Sequence, residues 1–413
     1  MTDIVAEALA KPFPWPRLPF DPPEAYRLLR EERPVARVLL SSGKPVWLIT
    51  RYDDVKAILA DPRVSANLFN PGFPRLLHDA PAGVRAPFLR MDPPDHTVFR
   101  RLLTKNFMVK RVEAMRPDIQ RLVDETVDRM LAIPGHPVDL VENLALPVPS
   151  TVLSWILGAR AEDRAFFNAA AHDLLNSQDV TDPEARERSI QAQQNLFGYI
   201  DALVKEKEAQ DHPGDDILGQ LVLAARAATI EHEDIIGNGF VLIVAGHDTT
   251  ASMTALGILT LLQHPEQLAE LQENPDLIPD AIEELLRYLT VVHLVVTRVA
   301  AEDIEIDGQV IPKGEGIIPL NFSANRDETK YPNAAAFDIH RRPIDHVAFG
   351  YGVHQCIGQP LARVELQVIF ETLLRRIPTL RLAVPLDAVP FKLWSTINGL
   401  YQLPVTWQRE ETP

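Results

Sequence analysis

The single cysteine of this 413-residue chain, Cys356, lies in a segment that could hold its sulfur as a thiolate. The segment at 349–358 reads FGYGVHQCIG, with apolar residues around the sulfur and glycines that allow other groups to approach the backbone closely. A helix is predicted to begin directly after it, and a helix N-terminus stabilises a thiolate. A lone cysteine is otherwise an ordinary small core residue. A shielded sulfur with backbone donors around it favours a metal ligand, such as the axial ligand of a haem iron.

A second segment with chemical potential is AGHDTT at 245–250. It interrupts an apolar run at 237–265 in which Asp248 is the only formally charged residue. An acid next to a hydroxyl group, here Asp248 and Thr249, suits the delivery of protons into a dry pocket. Gly246 would allow a local widening of the helix. The same residues are also compatible with a core hydrogen-bond network or a helix kink.

Together the two segments resemble the cytochrome P-450 family. FGYGVHQCIG agrees with the family signature Phe-x-x-Gly-x-His/Arg-x-Cys-x-Gly at every defined position, and AGHDTT is similar to the motif Ala-Gly-x-Asp/Glu-Thr. The resemblance covers nearly the whole chain, from the region at 35–60 to the C-terminus. It implies haem b as the cofactor and Cys356 as the axial ligand of its iron. It also implies that Asp248 relays protons and that Thr249 forms a hydrogen bond to the oxygen intermediate.

The implied activity is that of a monooxygenase that activates dioxygen and hydroxylates or epoxidises a small apolar substrate. Two other hypotheses stay open. The segment at 310–330 is also similar to haem-thiolate nitric oxide reductases, which take electrons directly from a nicotinamide cofactor. A haem-binding sensor or carrier would share the thiolate ligand but would not catalyse a reaction with any electron donor. The intact Asp248–Thr249 pair weighs against both alternatives.

Other cofactor-binding positions are implied by the resemblance. A haem carries two propionates, which require cations. The matching positions in this chain are His96, Arg100, Arg298 and His354.

A structural network is also implied, in which Glu284, Arg287 and Arg341 support the loop that leads to Cys356. The i, i+3 spacing of the first two is not diagnostic by itself, since Glu24 and Arg27 share it. The residues expected to shape the cysteine loop are Phe349, Gly352 and Gly358.

The expected substrate pocket is apolar, which suits an apolar or amphipathic molecule. Its walls are assigned to the loop at 65–90, the central apolar helix, the segment after position 290 and the C-terminal tail. Each assigned residue is equally compatible with plain core packing. These residues are Phe69, Phe88, Phe240, Val241, Val244, Ala245, Val292, Leu294, Val295, Thr396 and Ile397.

The segment at 100–116 is basic in a chain whose formal net charge is −16, and its only acidic residue is Glu113. A solvated helix face would look the same, but such a local reversal also suits an acidic partner steered by electrostatics. The resemblance implies an external acidic ferredoxin as electron donor, because no flavin or nicotinamide domain is recognisable. The expected docking residues are Arg101, Lys105, Lys110 and Arg111.

The elements that must position these groups are mainly helical. Apolar periodicity predicts helices at 53–60, 96–131, 149–157, 161–175, 184–210, 215–226, 232–263, 266–273, 278–289 and 360–376. Hairpins are predicted from VARVLL and PVWLIT at 35–50, and from IEIDG and QVIPKG after a short strand at 295–300. We therefore expect a mainly α (α+β) protein with the cytochrome P-450 fold. It would be a single domain over 1–413, with a long central helix and a small β-sheet region.

Composition excludes several other classes. The net charge of −16 argues against general nucleic-acid binding, and one cysteine excludes an internal disulfide framework and fits a reducing cytosol. The run at 237–265 is long enough for a membrane span, but its flanks lack a Lys/Arg bias and its centre is polar, which favours a core helix. No signal peptide is recognisable. We expect a cytoplasmic monomer without a membrane anchor.

Overall fold

The computed structural model describes residues 3–15, 18–74, 85–163, 166, 169–170, 173, 183–342, 345–393 and 395–408. Its helices are α1 Asp3–Ala10, α2 Glu24–Glu32, α3 Tyr52–Ala60, α4 Asp95–Thr104, α5 Val109–Ala132, α6 Pro147–Leu157, α7 Pro183–Glu208, α8 Ile217–Arg226, α9 His232–Leu262, α10 Pro265–Glu273, α11 Ile278–Leu289, α12 Asn321–Ala324 and α13 Gln359–Arg376. Its strands are β1 Val35–Leu39, β2 Pro45–Ile49, β3 Val64–Ser65, β4 Val138–Asp139, β5 Arg298–Ala300, β6 Ile304–Ile306, β7 Gln309–Ile311, β8 Gly316–Pro319, β9 Arg381–Leu382 and β10 Pro404–Thr406.

The predicted helix-dominated class is confirmed, but the helix expected throughout 96–131 is wrong in one place. The chain leaves the helix after Thr104 and adopts an extended backbone at Met108, with φ −61° and ψ 139°, before α5 begins. The apolar periodicity hides this break because Leu103 and Phe107 are both buried in the same core. Most of the helix predicted at 161–175 lies outside the described residues. Helices α1 and α2 were not predicted.

Helix α9 runs through the centre of the largest core cluster. Glu231 and Asp234 form a capping box at its N-terminus. It packs against α6, α7, α8, α11 and α13, which explains why it is apolar on nearly all sides. Among the described residues it is the one helix long and apolar enough to span a membrane, and 72% of its most apolar window is buried inside the protein.

The larger sheet brings distant parts of the chain to the site. Its strand order is β1-β2-β8-β5-β3, and β2 pairs with β8 in parallel, with Trp47 opposite Ile317. The other pairs are antiparallel, including β5 with β8, which sets Arg298 opposite Ile317. A second sheet of order β4-β10-β9 ties the C-terminal segment to residues 138–139. The predicted hairpins are present as β1–β2 and β6–β7.

Candidate active site

The loop before Cys356 places the sulfur at the N-terminal end of α13. The amide of Cys356 donates a hydrogen bond to the carbonyl oxygen of Phe349 at 2.8 Å. Gly352 has a φ of 72°, and a Cβ at this position would collide with the carbonyl oxygen of Leu59 in α3. Only glycine satisfies both conditions. A Cβ on Gly358 would lie 3.9 Å from the sulfur, so the first turn of α13 passes close beside Cys356.

Burial and hydrogen bonding act in opposite directions on the Cys356 thiol. Burial has the larger effect and raises its pKa, whereas the amides of Gly358 and Gln359 and the charge of Arg100 lower it. The expected backbone donors are therefore present but do not make the group a thiolate by themselves. A bound metal cation would, because coordination deprotonates a thiol. The side chain of Cys356 nevertheless retains accessible surface, so the sulfur can be reached by a bound group.

One face of α9 is accessible in the middle of this otherwise buried helix. Ala245 is exposed and Val241 and Thr249 are half-buried, and their i, i+4 spacing puts them on one face. The Thr249 hydroxyl donates a hydrogen bond to the carbonyl oxygen of Ala245 at 2.7 Å. The local widening expected at Gly246 is wrong, since α9 remains a regular α-helix there. The glycine instead lets α6 approach, because a Cβ would lie 3.3 Å from Leu153.

Asp248 lies on the buried side of α9 and forms an ion pair that sequence reasoning missed. Its Oδ1 accepts a hydrogen bond from the Lys392 ammonium at 2.9 Å, and the two residues are only 3% and 5% exposed. They are 144 positions apart, and no local spacing pattern connects them. The neighbouring His247 lies within hydrogen-bond distance of the Ser150 hydroxyl, with 2.7 Å between Nδ1 and Oγ.

Five basic side chains converge between α4, β5 and the cysteine loop. The rings of His96 and His354 lie 4.3 Å apart, and Arg100 donates to the carbonyl oxygen of Gln355 at 2.7 Å. Burial, followed by the charges of Arg298 and other neighbours, lowers the pKa of His354 to about 3. We call this group the cation cluster. It consists of Arg90, His96, Arg100, Arg298 and His354.

Arg90 is the member that sequence reasoning missed. It donates to the Thr297 hydroxyl at 3.2 Å and to the carbonyl oxygen of Val295 at 3.0 Å. Burial lowers its pKa to about 10. Burial together with the charge of Arg90 lowers the pKa of Arg298 to about 9. The surrounding sequence, APFLRM at 86–91, offers no signal that would separate Arg90 from the many other arginines.

The cation cluster lacks a matching anion. Within the part of the chain that the structure describes, none of its three arginines forms an ion pair with a carboxylate. Asp92 is nearby, but its oxygens accept hydrogen bonds from Ser65 and from the amide of Ala66. His96 Nε2 and His354 Nδ1 are buried without a hydrogen-bond partner among these residues. Buried cations without a counter-charge are costly, so the cluster is suited to bind an anionic group.

A separate buried network lies around Glu284. Arg287 donates to both carboxylate oxygens, at 2.6 and 2.7 Å, and both residues are 0% exposed. Arg341 donates to the same carboxylate at 3.2 Å. Arg287 also donates to the carbonyl oxygens of Asn325 and Ala334. The three residues expected to form a network therefore meet, and they join α11 to the segment at 325–341.

Comparison with known proteins decides the family. Residues 21–378 match the cytochrome P-450 family. Cytochrome P-450-SU2 of Streptomyces griseolus is 47% identical over 396 residues, which cover 95% of both chains. The 20-oxo-5-O-mycaminosyltylactone 23-monooxygenase of Streptomyces fradiae is 42% identical over 95% of this chain and 92% of that enzyme. The crystal structure of the methyl hydroxylase MycCI of Micromonospora griseorubida, bound to mycinamicin VIII, has a TM-score of 0.88 and 40% identity, covering 96% of this chain and 99% of that one.

The chain belongs to the cytochrome P-450 family. It is accordingly a monooxygenase of a family that carries haem iron. The residues of this cytochrome P-450 fit such a group. The sulfur of Cys356 is accessible, and a cation cluster without a matching anion among the described residues is suited to two carboxylates.

The basic segment of this cytochrome P-450 is at the surface and mixed with apolar side chains. Met108 and Val109, at the break between α4 and α5, are 55% and 65% exposed. Around them lie the four basic residues that the sequence assigned to docking, all of which are exposed: Arg101, Lys105, Lys110 and Arg111. Because Arg100 in the same helix bonds to Gln355, this surface adjoins the cysteine loop. We call it the α4–α5 patch.

The residues assigned to the substrate pocket fall into several places. Phe240, Val241, Val244 and Ala245 lie along α9, where Phe240 stacks on Phe197 with ring centroids 4.4 Å apart. Phe88 is buried and stacks on His96.

The remaining pocket positions lie on other segments. Val292 and Ile397 form an antiparallel β-bridge, and the carbonyl oxygen of Thr396 accepts the amide of Leu294. Val295 contacts Arg90 through its carbonyl oxygen. The Leu294 side chain is buried in a cluster with Phe13 and Tyr26, whereas Phe69 is 60% exposed.

Proposed function

We propose that this cytochrome P-450 hydroxylates or epoxidises an apolar or amphipathic small molecule, using haem b and electrons from an acidic ferredoxin. The observation that carries the proposal is the combination of an accessible sulfur with a cation cluster that has no anion of its own among the described residues. A group that has one metal and two carboxylates satisfies both features at once.

In this proposal Cys356 binds the iron, and His96, Arg100, Arg298 and His354 hold the propionates. When bound, the haem supplies the iron centre at which dioxygen is reduced and one oxygen atom is transferred to the substrate. The loop residues Phe349 and Gly352 fix the position of Cys356 through the hydrogen bond and close contact described above.

Asp248 and Thr249 act on protons. The Thr249 hydroxyl donates to Ala245, so its oxygen lone pairs remain available on the accessible face of α9 to accept a hydrogen bond there. Asp248, one residue earlier and on the buried side, takes up a proton and passes it towards this face. Burial of the helix around them keeps bulk water away from the reacting atoms.

The substrate class follows from the apolar side chains on the accessible face of α9. Val241, Val244 and Ala245 present no charged group on this face. The names of the two enzymes compared above specify different molecules, 20-oxo-5-O-mycaminosyltylactone and mycinamicin VIII. We infer that each pocket sets its own substrate on a shared catalytic framework.

The electron donor is proposed to dock on the α4–α5 patch. Its exposed Lys and Arg side chains suit an acidic surface, while Met108 and Val109 provide apolar contact area. In this proposal electrons enter on the side of the cysteine loop, which adjoins the patch through the bond of Arg100 to Gln355.

Replacing Cys356 by serine tests the proposal. The unchanged protein, reduced and exposed to carbon monoxide, should show the red-shifted absorption band of a thiolate-bound haem, and Cys356→Ser should lose it. A screen of small molecules for substrate-induced spectral shifts should then identify ligands. When ferredoxin and reductase are supplied, the enzyme should convert these ligands to products that carry one oxygen atom from labelled dioxygen. Retention of the band in the serine variant, or turnover of nitric oxide with a nicotinamide cofactor alone, would contradict the proposal.

A further inference from the structure

The buried pair of Asp248 and Lys392 has a structure that a simple core contact does not require. Removing two charges from water is costly, and the cost is repaid only where each charge keeps its partners. Lys392 satisfies one carboxylate oxygen, Oδ1, at 2.9 Å. The other oxygen, Oδ2, is buried and has no hydrogen-bond partner within the described part of the chain. One oxygen of the carboxylate is thus held, and the other has no partner among the described residues.

The fold places Lys392 there through a tight C-terminal turn. The amide of Lys392 donates to the carbonyl oxygen of Gly399 at 2.9 Å, and Phe391 and Leu400 form an antiparallel bridge. Gly399 lies directly on α9, since a Cβ on it would collide with the Ser252 hydroxyl. Position 399 therefore needs glycine for the turn to reach α9 and for the lysine to reach Asp248.

A small cavity with both polar and apolar residues in its wall adjoins the pair. Its volume is about 10 Å³, and Asp248 and Lys392 both line it. This volume is about that needed for one water molecule. The other polar residues in its wall are His247, Ser252 and Tyr401. Tyr401 is 46% exposed, and the Lys392 ammonium lies 5.8 Å from the centre of its ring. The wall of the cavity therefore includes one residue that also reaches solvent.

We propose that Lys392 is a positioning residue for proton delivery, holding Oδ1 of Asp248 so that Oδ2 exchanges protons with a water molecule in this cavity. The inference rests on the proposed role of Asp248 and names the route by which that carboxylate is supplied. A proton moves from the cavity water to Oδ2, and the water is reprotonated from solvent beside Tyr401. Asp248 then releases a proton on the Thr249 side, so neither Asp248 nor Lys392 changes its net charge over the cycle.

Two substitutions of Lys392 separate this role from plain packing. Lys392→Met removes the charge and keeps most of the length, whereas Lys392→Arg keeps the charge. Lys392→Met should lower the fraction of electrons that reach product by about tenfold and raise the solvent deuterium isotope effect on turnover, because proton supply becomes slower. Lys392→Arg should keep both the electron yield and the isotope effect close to those of the unchanged protein. Lys44→Met, which removes an exposed lysine from the turn between β1 and β2, is the matched control and should change neither.

A double-mutant cycle tests the pair without turnover. Lys392→Met should lower the urea midpoint of unfolding in the otherwise unchanged protein, and it should have little further effect when combined with Asp248→Asn. Absence of this coupling would overturn the inference. So would a lowered midpoint with an unchanged isotope effect and unchanged electron use, because Lys392 would then only support the fold.

The carbon monoxide band of each variant distinguishes the two levels of failure. If the unchanged protein lacks the thiolate band, the proposed function fails and the inference fails with it. If the band is present in every variant and only the isotope effect and the coupling behave contrary to expectation, the proton route alone is refuted.

Discussion

The cation cluster carries more positive charge than its protein surroundings neutralise. Its two histidines have lowered pKa values because burial and the neighbouring arginines both oppose a further positive charge. For His354 the pKa falls from 6.5 to about 3. In the protein without haem, this imidazole is therefore neutral at pH values where an imidazole in the unfolded chain is already charged.

This difference predicts a pH dependence of stability. As the pH falls from about 6.5 towards 3, the unfolded chain takes up a proton at His354 and the folded chain does not, so stability is lost on acidification. The contribution of one such group is at most about 1.4 kcal/mol per pH unit. Urea unfolding of haem-free protein across this range should show a smaller slope for His354→Asn than for the unchanged protein. Equal slopes of stability against pH in the two proteins would contradict the lowered pKa of His354.

At the residue scale, sequence reasoning found the groups that belong to contiguous motifs. Cys356, Asp248 and Thr249 could be named because their neighbours in the chain define them. Lys392 and Arg90 could not, because only the folded chain brings them to the site. The back-bond of Thr249 to Ala245 and the one-sided pairing of Asp248 are also properties of the packed helix and not of its residue types.

At the scale of elements, the break between α4 and α5 has the clearest consequence. A continuous helix over 96–131 would have kept the basic residues on a regular surface. The break instead exposes Met108 and Val109 between Lys105 and Lys110. An apolar centre inside a basic rim is the composition expected of a docking surface.

We therefore expect Lys105→Glu combined with Lys110→Glu to weaken the use of a ferredoxin donor. The reversed charges should raise the KM for ferredoxin by about tenfold or more at low salt, and the difference should shrink as salt screens the charges. Turnover kinetics at several salt concentrations measure this. Lys44→Glu combined with Lys313→Glu is the control for net charge, because it reverses the same number of charges at exposed lysines on other loops. An equal rise of the KM for ferredoxin in the control variant would exclude the α4–α5 patch as the docking surface.

Prediction of the elements succeeded where the apolar periodicity belongs to one unbroken helix. Helix α11 was located at its observed bounds because buried residues recur at Ile278, Ile282, Leu285 and Leu289. Strands β4 and β9 have two residues each, which is too short for any alternation pattern. Strand β8 is buried along its whole length, so its sequence has no polar and apolar alternation to mark it as a strand.

At the scale of the whole molecule, the Glu284 network is a buried polar link between α11 and the segment that precedes the cysteine loop. Its partners lie on both sides of β5–β8 in the sequence, and its two arginines share the one carboxylate of Glu284. The same i, i+3 spacing at Glu24 and Arg27 gives an exposed pair at the surface of α2. The spacing of the two pairs is thus identical, and burial determines how much each pair contributes to the stability of the fold.

Glu284→Gln is expected to destabilise the fold strongly. It leaves the buried Arg287 without its counter-charge, a change that typically costs about 3–5 kcal/mol. Urea unfolding of the loaded enzyme should show this as a large decrease in the free energy of unfolding. Glu24→Gln is the matched control and should have little effect, because its side chain is solvated. Similar decreases in the free energy of unfolding of both variants would contradict the larger contribution to stability assigned to the Glu284 network.

The overall class and the central position of α9 could be read from the sequence, whereas the sheet order could not. The parallel pairing of β2 with β8 joins segments that are far apart in the chain, and no local pattern specifies which strands become neighbours. The helical core follows from periodicity within each segment. The sheet that carries Arg298 follows from long-range packing.

The placement of Lys392 also has a consequence for how this protein is made. Asp248 leaves the ribosome 144 residues before the lysine that neutralises it. During that interval α9 cannot be buried with its charge paired, so a nascent chain that collapses early encloses a bare carboxylate or leaves an apolar helix in contact with water. The central helix therefore reaches its final environment only after the C-terminal turn has formed. Chains that stop short of it are expected to be substrates for chaperones and proteases.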